Sequence, residues 1–101
     1  MKPWVVLRAE ALADIEHAQI HFSNFSNFSE ELEARFSLEL ERCVEQIRDF
    51  PESHPVLLRN ARRALLIRFS IAVYYIGHRD SVEILAVMDA RRDPKKWQDR
   101  M

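Results

Sequence analysis

Residues 62–97 read RRALLIRFSIAVYYIGHRDSVEILAVMDARRDPKKW, and the fold turns on how this stretch is divided. Ile67, Phe69, Ile71, Val73 and Tyr75 alternate with Arg68, Ser70, Ala72 and Tyr74, the period of two expected of a half-buried strand. A second run, Val82 to Met88, is rich in branched side chains. Between them, Gly77-His78-Arg79-Asp80-Ser81 has the glycine and aspartate of a hairpin connection. The stretch therefore predicts two or three strands in succession, closed by a basic segment that ends on Trp97.

Working outward, Phe50-Pro51 marks the end of a helix, because proline removes an N–H donor and disfavours helix at the residue before it. Residues 51–61, with Pro51, Ser53, His54, Pro55 and Asn60, read as a loop. The helix before it is the clearest in the chain. Leu32, Phe36, Leu40, Val44 and Ile47 recur at helical spacing with Cys43 beside them, while Glu39, Glu41, Arg42, Glu45 and Arg48 cover the other side. Ser29, followed by Glu30, Glu31 and Glu33, reads as an N-cap with acids that complement the helix dipole.

Before it, residues 23–29 contain the tandem Ser-Asn-Phe-Ser-Asn-Phe, which reads as a helix end and a turn. Ala9 to about Phe22 is helical in character, with Leu12, Ile15, Ala18 and Phe22 on one face, and Trp4 to Leu7 is a candidate first strand. Two consecutive helices must bury their apolar faces, and a sheet with one apolar face accepts them. The expected fold is α+β: two N-terminal helices packed on a mainly antiparallel sheet of three to four strands, with a short C-terminal helical segment.

At 101 residues, 48% of them hydrophobic, the chain is expected to form one domain over 1–101. Cys43 is the only cysteine, which excludes an internal disulfide and a thiolate metal cluster and suits a reducing compartment, the cytoplasm. Met-Lys-Pro-Trp-Val-Val-Leu-Arg is too short an apolar run for a signal peptide. No segment approaches the roughly 20 apolar residues of a membrane span. The net charge of −1 conceals an asymmetry: residues 1–50 hold 5 Lys+Arg against 10 Asp+Glu, and residues 51–101 hold 10 against 6. A basic, strand-rich half points to an acidic partner, protein or nucleic acid.

His17 and His21 lie at i, i+4, a spacing able to bind zinc, but no third ligand follows at convincing spacing, and solvated helix histidines are the simpler reading. Cys43 lies on the apolar side of its helix, as a small core residue does. Gly77 is the only glycine, which excludes a glycine-rich phosphate loop, and no serine has a nucleophile-elbow context. No cofactor is implied. The basic residues carry more weight: Arg62, Arg63 and Arg68 flank one strand, and Arg91, Arg92, Lys95 and Lys96 follow another. On neighbouring strands they would converge near one sheet edge, where arginine holds carboxylate or phosphate in a bidentate fork. Solvated surface charge is the alternative. Arg91-Arg92-Asp93 also permits an internal Arg–Asp pair. Tyr74 and Tyr75 point to opposite faces, one to a core and the other free to stack on a ligand or cover the sheet. Trp97 reads as an anchor for a C-terminal segment that Pro94 starts.

These residues resemble the RelE/ParE superfamily of type II toxins, in its ParE-like, plasmid-stabilisation branch. The resemblance rests on Arg62-Arg63-Ala64-Leu65, Arg68-Phe69, Val73-Tyr74-Tyr75, Ile84-Leu85-Ala86-Val87 and Ala90-Arg91-Arg92-Asp93-Pro94 with Trp97, and in general form on Ala11–Phe22 and on Arg35-Phe36 through Pro51. Ser70 stands where relatives often have proline, and Asp89 where they often have histidine. The resemblance implies a compact toxin held in a hetero-oligomer by a small ParD-like antitoxin whose C-terminal segment wraps it. RelE-like members cleave mRNA on the ribosome; ParE-like members block DNA gyrase. RNA cleavage needs groups that move protons as well as cations that steady the phosphate. Here the last tyrosine is Tyr75 and the last histidine His78, and the tail holds only Arg, Lys, Asp and Trp among its chemistry-bearing residues. A carboxylate at Asp89, beside arginines, suits pairing. The expectation is a gyrase-directed toxin without catalytic residues, with a ribosome-dependent endoribonuclease as the alternative and a degenerate antitoxin-binding member as a third reading. Arg62, Arg63, Arg68, Arg91, Arg92, Lys95, Lys96 and Trp97 are the candidate contacts for target or antitoxin.

Overall fold

The computed structural model describes residues 3–24 and 29–101. Its elements are β1 (Trp4–Leu7), α1 (Ala9–Ser23), α2 (Ser29–Asp49), β2 (Val56–Leu58), β3 (Ala61–Leu66), a 3-10 turn (Ile67–Phe69), β4 (Ile71–Gly77), β5 (Ser81–Asp89) and α3 (Lys95–Gln98). The strands form one sheet in the order β1-β5-β4-β3-β2. β1 runs parallel to β5 and every other pairing is antiparallel. The α+β layering and the mainly antiparallel sheet are as expected.

The strand count is five, not three to four. β2 lies inside the stretch read as loop; it has only three residues, all exposed, and so carries no alternating signal. The alternation over Ile67–Tyr75 does not follow one strand. Ser70 adopts the left-handed conformation at φ 52 and breaks it into a turn and β4, which leaves Ile67 85% exposed. The hairpin is as expected: β4 and β5 are joined at His78–Asp80, closed by the His78 N–H donating to the Ser81 carbonyl at 2.8 Å. The Phe25–Phe28 part of the tandem and the Ser29 side chain lie outside the described residues, although α2 does begin at Ser29.

The sheet is apolar on both faces. On the helix side, Phe36, Leu40, Cys43 and Ile47 of α2 and Ala11 of α1 pack on Ala64, Val73, Tyr75, Val82, Ile84 and Val87. α1 presents Ala11, Ile15, Ala18 and Phe22 to this core, whereas Leu12, read as a core position, is 47% exposed. On the other side, Ala61, Ala72, Tyr74, Ile76, Leu85, Ala86 and Met88 are covered by Trp97. A bulge opposite Tyr74/Tyr75 places Leu85 in this second cluster. Both tyrosines are buried, Tyr75 among the helix-side residues and Tyr74 beneath Trp97.

β1 ends at Leu7, so the last part of β5 has no strand beside it on that edge. Side chains complete it instead. The Val87 N–H donates to Asp14 Oδ2 at 3.0 Å, and Arg100 Nη1 donates to the Leu85 carbonyl at 3.2 Å. Arg100 also grips Asp14 with both guanidinium nitrogens, at 2.6 and 3.1 Å. Arg8 donates to the Arg100 carbonyl and, at 2.7 Å, to Glu83. The C-terminal segment is thereby tied to β1, α1 and β5 together. Among the described residues, no helix is long and apolar enough to cross a membrane.

Candidate functional site

The predicted basic residues are distributed over three places. β3 alternates sides, so Arg62 and Arg63 point to opposite faces of the sheet. Arg62 lies opposite Tyr75 and is engaged locally: its Nη1 donates to the His54 carbonyl at 2.6 Å and to the Glu52 carbonyl at 3.2 Å, which holds the turn before β2. Arg63 lies opposite Tyr74 on the face that Trp97 covers. Burial pushes the Tyr74 phenol above its ordinary value, with Arg63 pulling against it. Arg68, in the 3-10 turn, is 3.7 Å from Glu39 of α2 and two-thirds exposed.

Arg91 does not pair with Asp93, as the local sequence permits, but with Asp89. Its Nε and Nη2 donate to the carboxylate at 3.0 and 2.7 Å, and its backbone N–H adds a third bond at 2.8 Å. These bonds lower Asp89 to about 2. Asp93 instead accepts the Lys95 N–H at 3.0 Å, where α3 begins. Arg92, Lys95 and Lys96 are exposed and make no side-chain hydrogen bond to any described residue. Trp97 is the reverse: 3% exposed and stacked on Tyr74, with centroids 4.5 Å apart and planes 12° from parallel.

Two concavities accompany these cations. A groove of about 460 Å³ lies between α2 and β3, with Glu39, Arg42 and Gln46 on one wall and Leu65, Ile67 and Arg68 on the other. β2 pairs with β3 only at Ala61 and Arg62, so Ala64–Leu66 present an open strand edge beside this groove. Leu65 is half exposed there. His54 closes the groove, its Nε2 buried without a hydrogen-bond partner among the described residues. Its pKa is lowered, first by burial and then by Arg62. His54 was not singled out from the sequence, because its place beside α2 is set by the Arg62 clasp. The second concavity, about 560 Å³, brings His17 and His21 of α1 opposite Arg91 and Arg92. Among the described residues, no group of three or more His, Cys, Asp or Glu is placed to hold a metal ion.

A chain of the chromosomal ParDE toxin–antitoxin system from P. aeruginosa shares this fold. The two superpose with a TM-score of 0.74 over 87% of this chain and 96% of that one, at 13% sequence identity. No protein-family model matches the chain, and no curated protein does. The likeness is one of fold, and at 13% identity most side chains differ.

Proposed function

We propose that this chain is the toxin of a type II toxin–antitoxin pair, that it acts by binding DNA gyrase rather than by cutting RNA, and that a ParD-like antitoxin neutralises it. The observation that carries this reading is the state of the groups around the basic tail. A cleavage site there would need a proton acceptor beside the cations. Within β4, β5 and the tail themselves, two groups could take that role and both are otherwise committed, while His17 and His21 face Arg91 and Arg92 from α1. Asp89 is locked in a bidentate pair with Arg91 and held as a carboxylate far below neutral pH. Tyr74 is buried under the Trp97 indole with its pKa raised. Arg92, Lys95 and Lys96 are left as exposed cations, suited to an acidic surface. The fold shared with a chain of a ParDE system supports the toxin–antitoxin setting.

The α2–β3 groove fits the antitoxin. Its open strand edge offers backbone groups to an extended segment, Leu65 and Ile67 offer apolar contacts, and Arg42 and Arg68 offer charge. An acidic, apolar-studded segment that orders on binding matches all three. Induced expression, with and without the neighbouring reading frame, tests both parts. The expected result is growth arrest with altered plasmid supercoiling and intact mRNA, relieved by the co-expressed partner. Hydrogen exchange on the complex should show protection at α2 and Ala64–Ile67. Codon-specific mRNA cuts, or protection confined to residues 51–60, would contradict the reading.

A further inference from the structure

The larger concavity is built differently from the groove. Its floor is apolar: Phe22 and Phe69 meet edge to face at 5.0 Å, with Ile71 and Val87 beside them. Its rim carries His17 and His21, one helical turn apart, and Arg91 and Arg92 across from them. Two carboxylates share the rim, and each already has its cation. Asp14 is held by Arg100 at 2.6 and 3.1 Å, and Asp89 by Arg91 at 2.7 and 3.0 Å. The Arg92 guanidinium acts on Asp89 through its charge alone and hydrogen-bonds no described side chain. With the acids matched, the rim keeps the Arg92 guanidinium and the His17 imidazole above a hydrocarbon floor. Its volume falls within the roughly 300–1,000 Å³ typical of small-molecule sites.

We propose that this pocket binds a small phosphate monoester with a planar apolar body, the phosphate on Arg92 and His17 and the ring against Phe22 and Phe69. The donors come from two elements on opposite sides of the opening, α1 and the segment after β5. A phosphate offers three oxygens to share between them, whereas a carboxylate would be satisfied by one arginine fork, as Asp89 is by Arg91. The apolar floor favours a ligand with a ring over the bare anion. This site lies apart from the α2–β3 groove but shares Arg92 with the basic tail, and its titration reads binding whether or not the chain is a toxin.

The test is an NMR titration of the full chain, isotope-labelled, with phenyl phosphate, adenosine monophosphate, adenosine and inorganic phosphate. Phenyl phosphate should give saturable shifts at Ala18, Phe69, Val87 and Arg92. Adenosine monophosphate doing the same would extend the site to nucleotides, and phenyl phosphate alone would assign it to smaller aryl esters. Inorganic phosphate and adenosine each carry half of the contacts and should bind at least about tenfold more weakly, the ratio that corresponds to about 1.4 kcal/mol. Arg92→Ala and His17→Ala, both at exposed positions, should each weaken the ester by about tenfold. Arg79→Ala removes the same charge in the β4–β5 hairpin and should leave binding unchanged. The proposal fails if no ester saturates the pocket at millimolar concentration, if inorganic phosphate binds as well as the esters, or if Arg79→Ala weakens binding as much as Arg92→Ala.

Discussion

Replacing Trp97 by alanine removes the side chain that covers the outer face of the sheet. The indole is 3% exposed, stacks on Tyr74 at 4.5 Å, and packs over Leu85, Ala86 and Met88. Deleting a buried tryptophan costs about 3–5 kcal/mol, of which parallel stacking supplies about 1. The lower end applies here, because α3 is a single turn of four residues and can settle part of the way into the space. A loss of about 3 kcal/mol is a large part of the roughly 5–15 kcal/mol that stabilises a typical domain. At about 4–8 °C per kcal/mol for a chain of this size, the melting temperature should fall by roughly 12–24 °C. Urea unfolding followed by far-UV circular dichroism measures the effect directly, and Trp97→Phe should recover more than half of it. An unfolding midpoint indistinguishable from that of the unchanged chain would refute the reasoning. The ring would then contribute nothing to the fold and would be free to contact a partner.

Other outcomes follow from the same structure. Asp14→Asn keeps the shape but breaks the charge-assisted fork to Arg100 on the β5 edge; it should cost about 1–3 kcal/mol and raise hydrogen exchange at Val87. Glu83 is held below its ordinary range, first by its bond to His78 and then by Arg8. A lowered carboxylate pKa stabilises above the ordinary glutamate range and is lost as pH falls through it, so the melting-temperature gap between the unchanged chain and Glu83→Gln should close between pH 6 and pH 3. Burial pushes the Cys43 thiol up to about 11, and alkylation at pH 8 should proceed only as fast as the chain unfolds, a rate that rises with urea. Ser70→Gly relieves a left-handed residue between the 3-10 turn and β4 and should raise stability by up to about 1 kcal/mol in the same urea assay.

Much of the layering was legible in the sequence. α2 announces itself because Phe36, Leu40, Cys43 and Ile47 keep one stripe over about three turns, and all four are buried. The β4–β5 hairpin is equally plain, since both strands are bounded by turn residues. What escaped depends on backbone states and long-range partners that carry no local signal. Ser70 at φ 52 cuts an apparently continuous alternation, and nothing in Phe69-Ser70-Ile71 requires it. β2 exists only because β3 lies beside it. For the candidate site, the sequence names basic residues but not their arrangement. Arg62 and Arg63 look like one cluster until strand periodicity sends them to opposite faces. Arg91 has acids two residues away on either side, and only the geometry selects Asp89. The Asp14–Arg100 fork spans 86 residues, beyond any motif.

The central claim is that the exposed basic tail binds a target without chemistry. The most direct test is purified gyrase supercoiling assayed beside cleavage of ribosome-bound mRNA, for the unchanged chain, Arg91→Glu and Arg92→Glu. Supercoiling should be inhibited, less so at higher salt, with the mRNA intact. The two variants should differ. Arg92→Glu reverses an uncommitted charge and should weaken inhibition directly, whereas Arg91→Glu also sets two carboxylates against each other at Asp89 and should lower stability as well. Unaffected supercoiling together with codon-specific cuts that vanish in Arg91→Ala would contradict the account and make the chain a ribosome-dependent nuclease.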